Sequence, residues 1–449
     1  MAFGRTAKHV FFLSETRFHF WEDNVKKFTT TLATAAAVGL MSLGSVQAAD
    51  LSFMGYSYAE ESAKPSVEAI INGFNKETGL TVEPIGSAFG DMQKNLFLRA
   101  RSKTLPSVAQ ISERWLPMFS TLPGIVDYNE VFGADYLAKI YAPEALAMGQ
   151  IDGKQLAVPL MSGSIGMVAN KAVLEKAGIT DLPKTTEEFK ADLIAIRDKV
   201  PNSVPYAMAT KNNSDILVDF LMWEYTFGGH VIDEQGKVVV DSDESRAALS
   251  FVVDLMKERL VAPEIGRPDA RRLVGQSAAA FYLDAPQSRA FLRSFSGQGK
   301  AFDANIQPMT VPVAKDGDQP VSIQWAHLII SFAQSNPPTK DDPNMKFVAY
   351  LGTDAVETQF PVEQSALPGT ISARQQPVVA DDKYLAAWAE NNQHPVRNEV
   401  GIWSNGGELT DILAEEVQAA LLGQKSPDDA ISSMSQRMKD SMTKAGYAQ

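Results

Sequence analysis

The sequence predicts an α/β fold of two lobes, the first opening on a parallel sheet flanked by helices. Three observations carry that reading. Between residues 51 and 111, short strand-like runs alternate with helical patterns, the signature of βαβ units. At 449 residues the chain exceeds what one compact core serves. Proline and glycine concentrate between strand patterns in residues 151–189, as in a chain leaving one folded unit for another.

The first unit opens with residues 51–54, which alternate like a strand and end in Gly55-Tyr56-Ser57-Tyr58. Val67, Ile70, Ile71 and Phe74 form one apolar helix face, and Gly79 is placed to stop it. Residues 80–85 read as the next strand, Met92, Leu96 and Ala100 as the next helix, and residues 108–111 as the third strand. Ligands of parallel sheets sit beyond the carboxyl ends of the strands. That places Tyr56, Ser57, Ser87, Phe89, Ser112, Glu113, Arg114 and Trp115 along one rim.

Residues 151–189 begin with a turn pair, Asp152-Gly153, followed by a short apolar strand that Pro159 should stop. Ser162-Gly-Ser-Ile-Gly166 reads as a loose connection and residues 167–169 as a second strand. Asn170 can cap a helix ended by Gly178. Pro183 and Thr185 open another, with Glu188 placed to close a capping box on Thr185. The ordered pieces Asp152-Gly153-Lys154, Pro159, Asn170-Lys171, Ala177-Gly178, Pro183, Thr185 and Glu188-Phe189 resemble the first lobe-to-lobe crossover of extracellular solute-binding proteins of the sugar-binding, maltose-binding-protein-like kind. The sequence departs from that pattern at Thr186, where many relatives carry Trp. It departs again at Ser107, where they have Asp, and at Trp325-Ala326, where they often have paired glycines.

The resemblance implies a two-lobe periplasmic-binding-protein fold, each lobe a mainly parallel sheet flanked by helices, with crossover hinge strands. Lobe 1 is expected at residues 49–158 and 322–362, and lobe 2 at 159–321 and 363–449. It also implies a receptor that closes by hinge motion on a sugar or sugar derivative and delivers it to an ABC transporter. The expected partners are a carbohydrate-like small solute and the permease subunits in the inner membrane, with the receptor itself a monomer.

Past the crossover, Ser214 should cap a helix bearing Ile216, Leu217, Phe220, Trp223 and Phe227. Residues 231–240 read as a hairpin, 242–260 as a long helix and 278–283 as a short strand ending at Asp284. A second crossover is expected over residues 321–332 and a third near 360–370. The remainder is helical, interrupted at 391–395, 404–407 and Pro427.

Composition narrows the function. An apolar fraction of 45% and a charged fraction of 21% are those of a soluble globular chain. The net charge of −13 argues against nucleic acid or anionic membrane as a partner. With no cysteine, disulfides, thiolate catalysis, cysteine zinc sites and a lipoprotein anchor are all excluded. Lys26-Lys27, the apolar run 32–43 and Val46-Gln47-Ala48 read as a signal peptide spanning residues 1–48, cut after Ala48 for export to the periplasm. Residues 1–24 fit no part of a signal and read as a misassigned start.

Sugars are held by aromatic faces against ring C–H patches and by polar side chains that bond hydroxyls bidentately. The candidates are Tyr56, Phe89, Trp115, Trp223, Tyr282 and Trp325 for stacking. For hydrogen bonding they are Ser87, Glu113, Arg114, Ser164, Asp284, Gln324, His327 and Gln364. Trp223 lies on an apolar helix face that serves equally as core. Enzyme motifs are missing: the serine at position 162 spoils G-x-S-x-G, and neither H-E-x-x-H nor a phosphate loop occurs. No enzyme activity, cofactor or metal is expected. The competing readings are a receptor for a polyamine, a phosphodiester or a sulfonated sugar, and a glycosidase built on two carboxylates.

Overall fold

A computed structural model describes residues 49–391 and 395–449; the signal peptide read at residues 1–48 lies outside them, as does His394. Strands β1 (Leu51–Gly55), β2 (Val82–Gly86) and β3 (Val108–Ser112) pair in parallel with β1 central. A hairpin of β4 (Gln150–Ile151) and β5 (Lys154–Gln155) turns at Asp152-Gly153, both at positive φ. The main sheet continues through β6 (Val158–Asn170), β7 (Val204–Tyr206), β8 (Ala279–Asp284), β9 (Ile306–Met309) and β10 (Ser322–Ser331). Its order is β2-β1-β3-β10-β6-β8-β7, with β9 on β6. Two short strands complete it: β11 (Leu367–Pro368) on β6 and β12 (Pro395–Val396) on β10.

Two strands do double duty. Residues 158–165 of β6 pair with β10, and its remainder pairs with β8 and β9. β10 pairs with β3 through residues 327–331 and with β6 over most of its length. The expected break at Pro159 and the loose connection after it are not found: β6 is one extended strand of 13 residues. Proline brings no N–H to a ladder, and the register with β10 shifts between His327 and Leu328, directly where Leu328 faces Pro159. Ser162, Gly163, Ser164 and Ile165 stay extended because Ala326, Trp325, Gln324 and Ile323 pair with them.

Side chains collect on either side of this shared region. One set of apolar clusters draws on residues 51–161 and 325–366, together with Ala285. The other draws on residues 167–311, Ile323 and 388–442. The local signals explain most of the flanking helices. Gly79 and Gly178 sit at φ of 74° and 76° and end the helices Lys64–Thr78 and Lys171–Ala177. Asn170 accepts from the Val173 amide, and Thr185 and Glu188 form the expected capping box. The helix Ser214–Thr226 is capped one residue earlier than expected: Asn213, not Ser214, is the cap, accepting from the Asp215 amide at 2.9 Å. Residues 231–240 make a single bridge between Ile232 and Val238 instead of a hairpin ladder. The Asp233 carboxylate takes the Gln235 and Lys237 amides there and tightens the turn. No helix among the described residues is long and apolar enough to cross a membrane.

Candidate functional site

Short turns follow the ends of β2 and β3. A single 3-10 turn, Phe89–Asp91, follows β2, and another, Glu113–Trp115, follows β3. These turns swing Phe89, Arg114 and Trp115 off the strand direction toward one another. The Phe89 and Trp115 rings lie 4.6 Å apart, and Tyr56 meets them edge-on at 5.1 and 6.2 Å. His327 stands 4.8 Å from Tyr56 and 4.4 Å from Trp325, which extends the aromatic wall onto β10. The Arg114 guanidinium lies over Phe89 at 5.5 Å and Trp115 at 6.0 Å.

Polar groups beneath the wall are held in place. Gln110 Nε2 donates to Ser57 Oγ at 2.8 Å and contacts His327 Nδ1 at 3.2 Å. That contact makes Nδ1 the acceptor and leaves Nε2 to carry the proton. Burial, aided by Arg271 and Arg114, pushes the His327 pKa down to about 3, so the ring is neutral. Glu113 accepts from Ser112 Oγ at 2.9 Å and from the Ala326 amide at 3.1 Å; burial raises its pKa, and Arg114 opposes the shift. Ser87 accepts from Asn95 at 2.9 Å. Tyr56 Oη and Ser164 Oγ are buried and have no hydrogen-bond partner among the described residues. Gln324 is half-buried opposite Ser164.

Phe89, Arg114 and Trp115 form one wall of a cavity of about 170 Å³. Met118, Gly90 and Gln93 extend that wall. The opposite wall, which the sequence reading missed, is Ser214, Leu217, Gly401, Gly406, Gly407, Thr410 and Asp411. Those residues sit at the starts of the helices Ser214–Thr226 and Gly406–Leu421 and on the strap before the second. The glycine pair at 406–407 was the available signal for them. A larger groove of about 600 Å³, lined by Phe132, Tyr136 and Tyr350, holds none of the candidate residues.

Of the expected residues only Phe89, Arg114 and Trp115 line this cavity; Tyr56, Ser87, Glu113, Ser164, Gln324, Trp325 and His327 lie off its lining, as do the following four. Trp223 is fully buried among Phe189, Tyr206 and Phe251, its Nε1 donating to Tyr206 Oη at 3.3 Å. Core and cleft faces of an apolar helix share one spacing, which is why the sequence left both open. Tyr282 is likewise fully buried in a core cluster, and its hydroxyl has no partner among the described residues. Asp284 is bound bidentately by Arg271 at 2.7 and 3.0 Å, so its oxygens are already committed. Gln364 is buried at the end of the one-turn helix Phe360–Glu363. No group of three or more His, Cys, Asp or Glu among the described residues could hold a metal ion.

Known proteins resemble this chain in fold and family. A binding protein of Brucella abortus is 24% identical over 255 residues, 55% of this chain and 61% of its own length. The chain thus spans under two thirds of that relative. The diacetylchitobiose binding protein of Streptomyces coelicolor is 28% identical over 148 residues, 33% of this chain and 32% of its own. The GacH receptor of Streptomyces glaucescens, solved unliganded and with acarbose, superposes with a TM-score of 0.78 at 21% identity, over 89% of this chain and 99% of its own. The fold is therefore the two-lobe periplasmic-binding-protein fold. The family model of bacterial extracellular solute-binding proteins matches residues 57–358, most of the described chain, and the protein belongs to that family.

Proposed function

We propose that this protein is an exported receptor that closes on a neutral sugar or sugar derivative and hands it to an ABC transporter. The carrying observation is the aromatic wall of Phe89 and Trp115, backed by the buried Tyr56 and roofed by Arg114, facing a second wall across the 170 Å³ cavity. Aromatic faces suit the apolar patches of a pyranose. Arg114 and Asp411 stand on opposite walls without an ion-pair partner within 4.0 Å among the described residues. A hydroxyl group accepts from one and donates to the other. A phosphodiester or sulfonate would meet Asp411, and a polyamine would meet Arg114, each at an electrostatic cost. That the relatives described above bind diacetylchitobiose and acarbose supports the same ligand class.

The two apolar cores support lobes near the expected boundaries, with one adjustment. Ala366 packs in the first core and β11 pairs with β6, which supports a third passage between lobes after Pro368. A glycosidase is disfavoured because it needs two opposed free carboxylates. Here Asp411 is the only carboxylate among the residues that line the cavity.

A thermal-shift panel of neutral mono- and disaccharides, spermidine, glycerophosphodiesters and a sulfonated sugar tests the reading. At a concentration near 100 times Kd a bound ligand adds about 2.7 kcal/mol of stability, an easily read rise in Tm. A rise with at least one neutral sugar is expected; a rise only with a charged solute overturns the proposal. Mass spectrometry of the periplasmic form should show an N-terminus at or near Ala49.

A further inference from the structure

Gly401 lies on the strap that leads from β12 to the helix Gly406–Leu421, and it packs against Arg114 at the mouth of the cavity. A Cβ added there would stand 2.9 Å from Arg114 Cβ and 3.3 Å from Arg114 O. The φ of Gly401 is outside the left-handed region, so its backbone admits any residue. The need for glycine is therefore set by the facing chain. Arg114 cannot yield easily. Its backbone belongs to the 3-10 turn that ends β3, and its guanidinium lies over Phe89 and Trp115. The strap is equally fixed. Asn398 Oδ1 accepts the Val400 and Gly401 amides at 3.1 and 3.0 Å, and Trp403 Nε1 donates to Glu399 O at 2.7 Å.

We infer that Gly401 is the closure contact of this receptor. It is a positioning residue that lets the strap of the second lobe seat on Arg114 of the first, and any side chain there props the cavity mouth open. The inference rests on the lobe assignment proposed above but not on the identity of the ligand. Gly401 acts by the absence of a Cβ, so it needs no contact with the solute.

The test needs no ligand. The chain has no cysteine, so spin labels can be placed at Leu98→Cys and Leu422→Cys, exposed positions on the two lobes, without competing sites. Double electron–electron resonance on the full exported chain then reads the distance between them. The otherwise native protein should show a short-distance population. Gly401→Val should reduce that population roughly tenfold, in line with the cost of overpacking a fixed contact, and Gly401→Ala should reduce it less. Circular dichroism shows whether each variant is folded; should Gly401→Val not fold, Gly401→Ala carries the test. A native distribution with no short component, or one that neither variant changes, overturns the inference. A failed sugar panel would not affect this measurement, so the two ideas fail separately.

Discussion

Phe89 is the most direct probe of the aromatic wall because it lines the cavity while only half-buried. Phe89→Ala should weaken binding of the sugar found in the panel by about 1–3 kcal/mol, with a small change in ligand-free Tm. Titration calorimetry checks it, and unchanged affinity would remove Phe89 from the site. Trp115 and Trp325 are poorer probes. At 6% and 8% exposed they are packed into apolar core clusters, so their loss costs folding stability as well, about 3–5 kcal/mol for a large buried ring. The first wall was legible in the sequence because parallel strands end where ligands bind, so Phe89, Glu113, Arg114 and Trp115 could be placed by counting from β2 and β3. The second wall was not. Ser214 and Gly407 look like ordinary helix starts, and Thr410 and Asp411 like a solvated first turn; only the tertiary fold brings them opposite Arg114.

Among the elements, β6 departs most from expectation, and its physics bears on hinge motion. A proline and two glycines read as breaks in a chain by itself, yet pairing with β10, β8 and β9 holds all of them extended. Cross-strand partners are far off in sequence and override local propensity. The glycine at 163 is needed for space: a Cβ there would stand 2.8 Å from Pro286 Cγ and 3.1 Å from Pro286 Cδ. Gly163→Val should therefore hinder closure while each lobe stays folded. Small-angle scattering would show the native protein becoming more compact with saturating sugar, and the variant doing so less. Equal compaction of both would show that Pro286 gives way and that the crossover is not limiting. The helices, by contrast, were legible almost to the residue wherever a cap carried the signal, as at Asn170 and the Thr185–Glu188 box.

At the scale of the whole molecule, two cores share one sheet, and the second core encloses carboxyl groups away from the cleft. Burial pushes the Glu224 pKa up to about 8, with Glu399 and Glu244 adding to the rise and the Ser245 hydroxyl opposing it. Burial likewise raises Asp219 to about 6 against the pull of Arg267, and it lifts Glu357 well above its usual range. Each folded pKa is raised, so folding favours the protonated form. The stability tied to these protons is full below the unfolded pKa and is lost as pH rises through the folded one. For Glu224 that window runs from its ordinary 4.5 to about 8. Unfolding free energy from urea titrations should accordingly fall between pH 5 and pH 8.5, and Glu224→Gln should flatten the fall. The variant's advantage at pH 8.5 over pH 5 has an upper bound of about 5 kcal/mol, since each tenfold change in proton affinity between the folded and unfolded chain is worth about 1.4 kcal/mol. The Glu224 carboxyl lies far from Arg114 in sequence and outside the cavity lining, so sugar affinity at fixed pH should not change in the variant. Parallel pH profiles for native and Glu224→Gln would mean that this carboxyl is already ionised at neutral pH and that another group sets the acid-side optimum.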